Sequence, residues 1–408
     1  MKTVKFYTLG CKVNQYDTQS IREQFAKVGF KEILNNKSAD TYLINTCTVT
    51  AAADSKSRAA IRRCIRQNPR AKVIVTGCLV QNDAQSLKSI GGISLIISKS
   101  FFKEGISDFS GRTRAFLKIQ DGCNNFCSYC KVPLVRGISR SRSLCEIENE
   151  AAILARKDFH EIVLTGICLG SFGKDLKPKT DIVRLLKRLK QIDGLWRIRL
   201  SSIEATDVSD ELIGLMATSP KICRHLHIPI QSGDDEILGR MNRRYKRKDY
   251  LALIEKIKKN IPEIAISTDM MVGFPGEKEK HFLNSMRLVD EIKPLKVHIF
   301  PYSVRPGTLA AKSNECASIE EVRQRLTRLN RVAYDASICY QNKFINKKME
   351  LLVEGHPNGR TDLWEGFTDN YLKVIFRNAK AKQNQLVKVI IKKKALSLTN
   401  HPSICYTS

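Results

Sequence analysis

Acid is scarce in this 408-residue chain: 41 Asp and Glu face 69 Lys and Arg, a formal net charge of +28. A field of that sign disfavours cationic partners and points to a polyanion such as nucleic acid. Long apolar runs are missing too, those such as Val73 to Val75 and Ile264 to Ile266 spanning only a few residues. No segment approaches the ~20 apolar residues of a membrane span, so no membrane partner is expected. Met1 to Lys5 runs straight into a strand pattern without a signal peptide's apolar region, which predicts a cytoplasmic protein. Repeats and low-complexity tracts are absent. Phosphate-loop and zinc-protease signatures fail as well: Cys168 stands where a Walker glycine precedes Gly173-Lys174, Asp175 replaces its Ser/Thr, and His160-Glu161 lacks a second histidine.

What remains is an ordinary globular composition, 42% hydrophobic and 27% charged. Domains run at about 150 residues, so this length predicts two to three. The positive excess is +9 over residues 1–110, +12 over 111–340 and +7 over the last 68 residues, where it is densest. Thirteen cysteines form an odd set in a chain without an export signal, which disfavours a disulfide scaffold and calls for reduced thiols with another purpose.

Strand and helix patterns alternate from the start. Val4 to Leu9, Thr41 to Asn45, Lys72 to Val75 and Ile93 to Ile97 read as strands; Ile21, Phe25 and Val28 mark one helical face, and Ala51 to Gln67 a second helix. This predicts a parallel α/β sheet over residues 1–110. A second series begins near Arg114, with strands at Ala115 to Ile119, Glu161 to Leu164, Arg197 to Leu200, His225 to Ile228, Ile264 to Met271 and Lys296 to Phe300. Six βα units fit a partial (β/α)6 barrel over 111–340, with an open doubly wound sheet as the alternative. After a helical stretch, Ile319 to Phe344, the short strands Glu350 to Val353, Tyr371 to Phe376 and Leu386 to Ile391 predict a small β-barrel over 341–408, with turns at Pro357-Asn358-Gly359 and Asp369-Asn370.

Cysteine spacing carries the chemistry. Cys123, Cys127 and Cys130 form a CxxxCxxC run just past a predicted barrel strand, with no fourth cysteine nearby. Three thiolates suit three irons of a cubane cluster and leave the fourth open, whereas structural zinc wants four ligands. Cys11, Cys47 and Cys78 each stand just beyond the end of a strand in the first unit. Parallel strands bring such ends to one edge, where three thiolates could hold a second cluster; the alternative is three small buried hydrophobes.

The CxxxCxxC spacing resembles the radical S-adenosylmethionine (SAM) superfamily. Leu9-Gly10-Cys11-Lys12-Val13-Asn14, Asn45-Thr46-Cys47-Thr48-Val49-Thr50, Thr76-Gly77-Cys78, His227 to Gly233, Met241 to Tyr245 and Val272 to Glu277 narrow it to the tRNA and ribosomal-protein methylthiotransferases. That likeness spans essentially the whole chain, and Gly366 to Tyr371 resembles the RNA-binding TRAM barrel. Thr50, with Phe300 to Ser303 and Arg305 to Thr308, is most like the branch acting on threonylcarbamoyladenosine beside the anticodon; Cys168 departs from it, His being common there. The resemblance implies two [4Fe-4S] clusters, SAM on the Cys123–Cys127–Cys130 cluster, sulfur delivery from the Cys11–Cys47–Cys78 cluster, a tRNA anticodon stem-loop as substrate, and an electron donor and a sulfur source of unspecified identity. The branch acting on isopentenyladenosine, a ribosomal-protein substrate and a non-catalytic RNA-binding protein are the alternatives.

Glu204, Gln231, Asp269 and Gly273 lie at or after barrel strand ends, where related enzymes contact SAM, with loop capping as the competing role; Ser201 and Ser202 follow them. The run Arg240, Arg243, Arg244, Lys246, Arg247, Lys248, the helix face Arg58, Arg62, Arg63, Arg66 and the tail's Lys392 to Lys394 are expected to meet phosphates. Trp364, Phe367, Tyr371 and Phe376 offer stacking surfaces, though most should be core. The other cysteines, Cys168 included, read as ordinary thiols.

Overall fold

A computed structural model describes residues 2–34, 37–102, 105–357 and 360–392, and the backbone strand 404–406. Asn358, Gly359, Lys393 and Lys394 lie outside these residues.

The first unit is a five-stranded parallel sheet: β1 (Thr3–Thr8), α1 (Lys12–Lys27), β2 (Lys31–Glu32), β3 (Thr41–Thr46), α2 (Ala51–Gln67), β4 (Lys72–Gly77), α3 (Cys78–Lys88) and β5 (Leu95–Ile96). Its strand order is β2-β1-β3-β4-β5, so the order reverses between β1 and β3 and opens a crevice at their C-terminal ends. All six β3 residues are buried, as a central strand covered on both faces requires.

The second unit starts with β6 (Ala115–Lys118), a two-stranded pair β7 (Gln120–Asp121) and β8 (Arg140–Ser141) with α4 (Val132–Arg136) between them, and α5 (Leu144–Arg156). There follow β9 (Glu161–Thr165), α6 (Ile182–Leu189), β10 (Arg197–Leu200), α7 (Asp210–Thr218), β11 (His225–His227), α8 (Asp235–Arg240), α9 (Arg247–Asn260), β12 (Ala265–Val272), α10 (Glu279–Ile292), β13 (Lys296–Pro301) and α11 (Ile319–Asn342). Two parallel sheets, β10-β9-β6 and β11-β12-β13, are joined by the parallel bridges Ile198–Ile222 and Ser202–His227. The spatial order therefore runs β6-β9-β10-β11-β12-β13 without reversal, the winding of a partial barrel and not of a doubly wound sheet. Ser143 with Glu146 and Ser318 with Glu321 form capping boxes that set where α5 and α11 begin.

α1 departs from its sequence reading. Ile21 is buried as read, but Val28 is exposed, and the buried residues also include Asn14, Tyr16, Thr18, Gln19 and Ser20. This polar face lies against β6, where Asp17 pairs with Lys118 at 2.7 Å and Tyr16 Oη meets Glu150 at 3.1 Å and Arg142 at 2.9 Å. The first unit is thereby docked on the barrel's open side.

The last strands are β14 (Lys348–Gly355), β15 (Trp364–Thr368), β16 (Lys373–Phe376), β17 (Leu386–Ile390) and β18 (Ile404–Tyr406). They pair in the order β17-β14-β15-β16-β18, antiparallel except for β16 with β18. β15, with Gly366 in its middle, escaped the sequence pattern. The β15–β16 turn plugs the barrel floor. Arg199 donates to the carbonyls of Asp369 and Thr368 at 2.9 and 3.1 Å, Arg197 to those of Phe367 and Glu350 at 3.1 and 3.0 Å, and Tyr371 lies 4.4 Å beneath the Arg199 guanidinium. Tyr371 and Phe367 thus serve the interface with the barrel, and Phe376 is core.

Candidate active site

The CxxxCxxC loop crosses the C-terminal mouth of the barrel between β7 and α4. Gly122 turns the chain into it at φ +73°; a Cβ there would stand 2.0 Å from the Ile138 carbonyl oxygen, so only glycine permits the approach. Ser128 anchors the loop's far side, its N–H on the Met241 carbonyl at 3.1 Å and its Oγ on that of Arg240 at 2.7 Å. Backbone N–H groups of Asn125 and Val132 reach the sulfurs of Cys123 and Cys130 at 3.4 and 3.5 Å. Burial pushes Cys130 up to about 11 and raises Cys127, whereas a hydrogen bond from Cys168 holds Cys123 below its ordinary value. Cys168 is therefore no ordinary thiol: it bonds to Cys123, Ser171 and Asp207 at the rim of the same loop. Its place just past β9 was the available signal.

Cys11, Cys47 and Cys78 follow β1, β3 and β4 and converge at the crevice where the strand order reverses. A Cβ on Gly10 would lie 2.8 Å from the Cys47 sulfur, and one on Gly77, at φ +102°, 2.4 Å from the Thr46 carbonyl oxygen. These glycines let the three loops close. Burial pushes Cys47 up to about 11, with the Cys78 and Cys11 thiolates adding to it, and burial likewise raises Cys78. Asn14 ties the loops together, donating to the Leu9 and Thr46 carbonyls at 2.8 and 2.9 Å. Its Oδ1 accepts from Arg136, which leaves α4 of the other cysteine loop and is held by Asp121 at 2.8 and 3.0 Å. The buried guanidinium counteracts the effect of burial on Cys78, favouring its thiolate. Arg136, Asn14 and Asp121 were missed as site residues, because nothing in their spacing announces a contact between distant loops.

A cavity of about 350 Å³ lies between the CxxxCxxC loop and the segment that follows Cys47. Cys123, Cys127 and Cys130 line one wall and Thr48 to Thr50, next to Cys47, another. Arg305 closes it: its Nη2 meets Thr48 O at 3.0 Å, Thr48 Oγ1 at 2.9 Å and Asp54 at 2.7 Å. Glu204, Gln231, Asp269 and Ser202 line the cavity. Glu204 is clasped by Arg243, both contacts at 2.7 Å, so Arg243 is buried under the cysteine loop and is not a phosphate contact. Arg244, Lys246 and Lys248 beside it are exposed. Gly273 is not among the lining residues; it turns the chain after β12 at φ +75°, its N–H on Glu277 at 2.7 Å. The residues suit a cluster and a polar cofactor. Crowded buried thiols favour a bound cation that keeps them deprotonated, and Gln231 Oε1 is buried in the cavity wall without a partner.

Residues 117–289 match the model of the Radical SAM superfamily and residues 3–98 that of Uncharacterized protein family UPF0004. The chain is 38% identical to the threonylcarbamoyladenosine tRNA methylthiotransferase MtaB of Bacillus subtilis, across 96% of this chain and 94% of that protein. The chain belongs to the radical SAM tRNA methylthiotransferases. The MtaB of Thermotoga maritima is 34% identical over 91% of each chain. A tRNA-2-methylthio-N(6)-dimethylallyladenosine synthase of Clostridium botulinum is also 34% identical, over 96% and 95%. Among solved structures, the radical SAM methyltransferase TsrM of Kitasatospora setae superposes with a TM-score of 0.56 at 13% identity, covering 76% of this chain and 75% of that one, a likeness of fold. In this methylthiotransferase, then, the radical SAM match begins within β6 and the UPF0004 match covers the three loops of the second triad.

Proposed function

We propose that the chain converts N6-threonylcarbamoyladenosine at position 37 of tRNA, next to the anticodon, into its 2-methylthio derivative. The observation that carries this reading is the meeting of two cysteine triads across one interface, bridged by Arg136 and Arg305, in a chain whose relatives at 34 to 38% identity include enzymes named for that reaction. Cys123, Cys127 and Cys130 would hold the cluster that takes SAM, with Glu204, Gln231 and Asp269 around the cofactor and Gly273 shaping the turn behind them; Cys11, Cys47 and Cys78 would hold the second cluster. When bound, these groups supply homolytic SAM cleavage, hydrogen removal from adenine C2, a sulfur atom and, from a second SAM, a methyl group. The C2–H is not acidic, which is why no side-chain base serves here. The protein's own part is placement: Gly10, Gly77 and Asn14 close the second triad, and Arg305 holds the Cys47 loop against the cavity.

We further assign domains to residues 1–110, 111–340 and 341–408, the last a TRAM-like RNA-binding barrel, a cytoplasmic location, and dependence on an external electron donor and sulfur source. Mass spectrometry of tRNA nucleosides from a deletion strain and its parent tests the reading. The 2-methylthio-threonylcarbamoyl nucleoside should vanish from the mutant. Loss of the isopentenyl form instead would move the chain to that branch, and loss of neither, with protein free of iron and sulfide, would leave an RNA-binding module.

A further inference from the structure

A second cavity of about 350 Å³ lies where the first unit docks on the barrel, apart from the cysteine-lined one. Asp17 of α1, Asn45 and Thr76 near the ends of β3 and β4, Lys99, Lys118 and Arg142 line it. Around it Lys99, Lys118, Arg136, Arg140 and Arg142 face Asp17, Asp121 and Glu150, an excess of two positive charges. Each carboxylate is already engaged: Asp121 by Lys99 at 3.0 Å and Arg136 at 2.8 Å, Asp17 by Lys118 at 2.7 Å, and Glu150 by Arg142 at 2.7 Å. Arg140, exposed in the lining, has no hydrogen bond or ion pair with a described residue. Two buried oxygens of the walls lack a hydrogen-bond partner: Thr76 Oγ1, on a fully buried side chain, and Asp17 Oδ2, which lies 3.6 Å from Arg136. A hydroxyl kept from water with nothing to bond is a cost that a valine of the same shape would avoid, so the threonine calls for a ligand.

The cavity's place says which anion. Thr76 stands two residues before Cys78, and its carbonyl accepts from Thr46 Oγ1, next to Cys47, at 2.6 Å. Asn45 donates to the Asn14 carbonyl at 2.9 Å, and Asn14 Oδ1 lies 3.8 Å from the Cys78 sulfur. A single residue, Asn14, thus links the cavity wall to the second triad. SAM and the adenine claim the cavity beside Thr48 to Thr50, and the sulfur atom consumed at each turnover needs a place of its own. We infer that the second cavity binds the sulfur source, a small anion with a terminal sulfur and one proton donor: hydrosulfide or cysteine persulfide. The surplus cations draw in its charge, Thr76 Oγ1 donates to the sulfur, and Asp17 Oδ2 accepts the S–H or ammonium proton. This inference rests on the reading above.

The test uses the full-length reconstituted enzyme, with sodium hydrosulfide and cysteine persulfide supplied in turn. Thr76→Val keeps the shape and removes the hydroxyl, and Arg140→Glu reverses the exposed charge; neither touches a thiol. Each should raise the KM for the sulfur source about tenfold, while iron content, 5'-deoxyadenosine formation and the KM for SAM hold. The compound whose KM moves is the one the cavity binds. Crystals of the wild-type holoenzyme soaked in sodium hydroselenide should show selenium anomalous density between Thr76 and Lys118, and Thr76→Val crystals should lose it. Selenium at the clusters alone overturns the inference, as does an unchanged KM for both compounds in both variants. Phosphate bound there in preference to hydroselenide overturns it too, by assigning an oxyanion site. A wild-type enzyme that makes no methylthio product from either compound is a different result: it removes the reading above, and this inference with it.

Discussion

On the proposed function, six cysteines would divide the work at the scale of single residues. Replacing Cys123, Cys127 and Cys130 by Ala should abolish 5'-deoxyadenosine formation while leaving one cluster's worth of iron; persistent cleavage would refute the radical assignment. Replacing Cys11, Cys47 and Cys78 should do the reverse, preserving cleavage but stopping thiolation, and normal methylthio product from that variant would end the sulfur-delivery role. The grouping of these thiols was legible in the sequence because it lies in fixed spacings or at equivalent strand ends. Arg136 and Asn14 were not, since a guanidinium meeting a side chain 122 positions away leaves no local pattern.

Among the elements, the segment after β13 decides how the two units are joined. Ser303 Oγ accepts from the Ala51 N–H at 3.0 Å, and Arg305 spans Thr48 and Asp54. Arg305→Ala removes charge-assisted hydrogen bonds from the Cys47 loop without touching a thiol. Each such bond is worth about 1.5–3 kcal/mol, so methylthio product per 5'-deoxyadenosine should fall about tenfold while iron content holds. An unchanged ratio would show that the loop stands without this contact. α1 teaches the same point from the other side. Its apolar positions suggest one face, yet its polar residues are buried, because the helix packs against a second unit whose Lys118, Arg142 and Glu150 satisfy them.

For the molecule as a whole, buried charge ties the last sheet to the barrel. Glu161 is fully buried among Arg199 at 2.7 Å, Arg114 at 3.6 Å and Arg197 at 3.9 Å, and burial is outweighed by these cations, which hold its carboxyl below the usual value. Glu161→Gln should lower unfolding free energy by about 3–5 kcal/mol, measured by denaturant titration; a loss under about 1 kcal/mol would mean the arginines repartner freely. Truncating the tail would expose Arg197 and Arg199, so its proposed part in RNA binding is better read by charge reversal. Lys348, Lys380, Lys382 and Lys392 are exposed. Changing them to Glu should flatten the log-log salt dependence of tRNA affinity by roughly 0.7 to 0.9 per lost phosphate contact, and an unchanged slope would make the tail's charge a solubility feature.

Sequence alone determined the parallel first sheet, the six barrel strands and both thiol triads, because period-two apolar patterns and ligand spacing are local and survive in one dimension. The reversal of strand order between β1 and β3, the monotonic winding of β6 to β13 and the docking of α1 on the barrel's open side were decided only in three dimensions. So were the fates of individual basic residues. Arg243 reads as a surface cation along the chain, and became a buried counter-ion because Glu204, in the loop after β10, pairs with it.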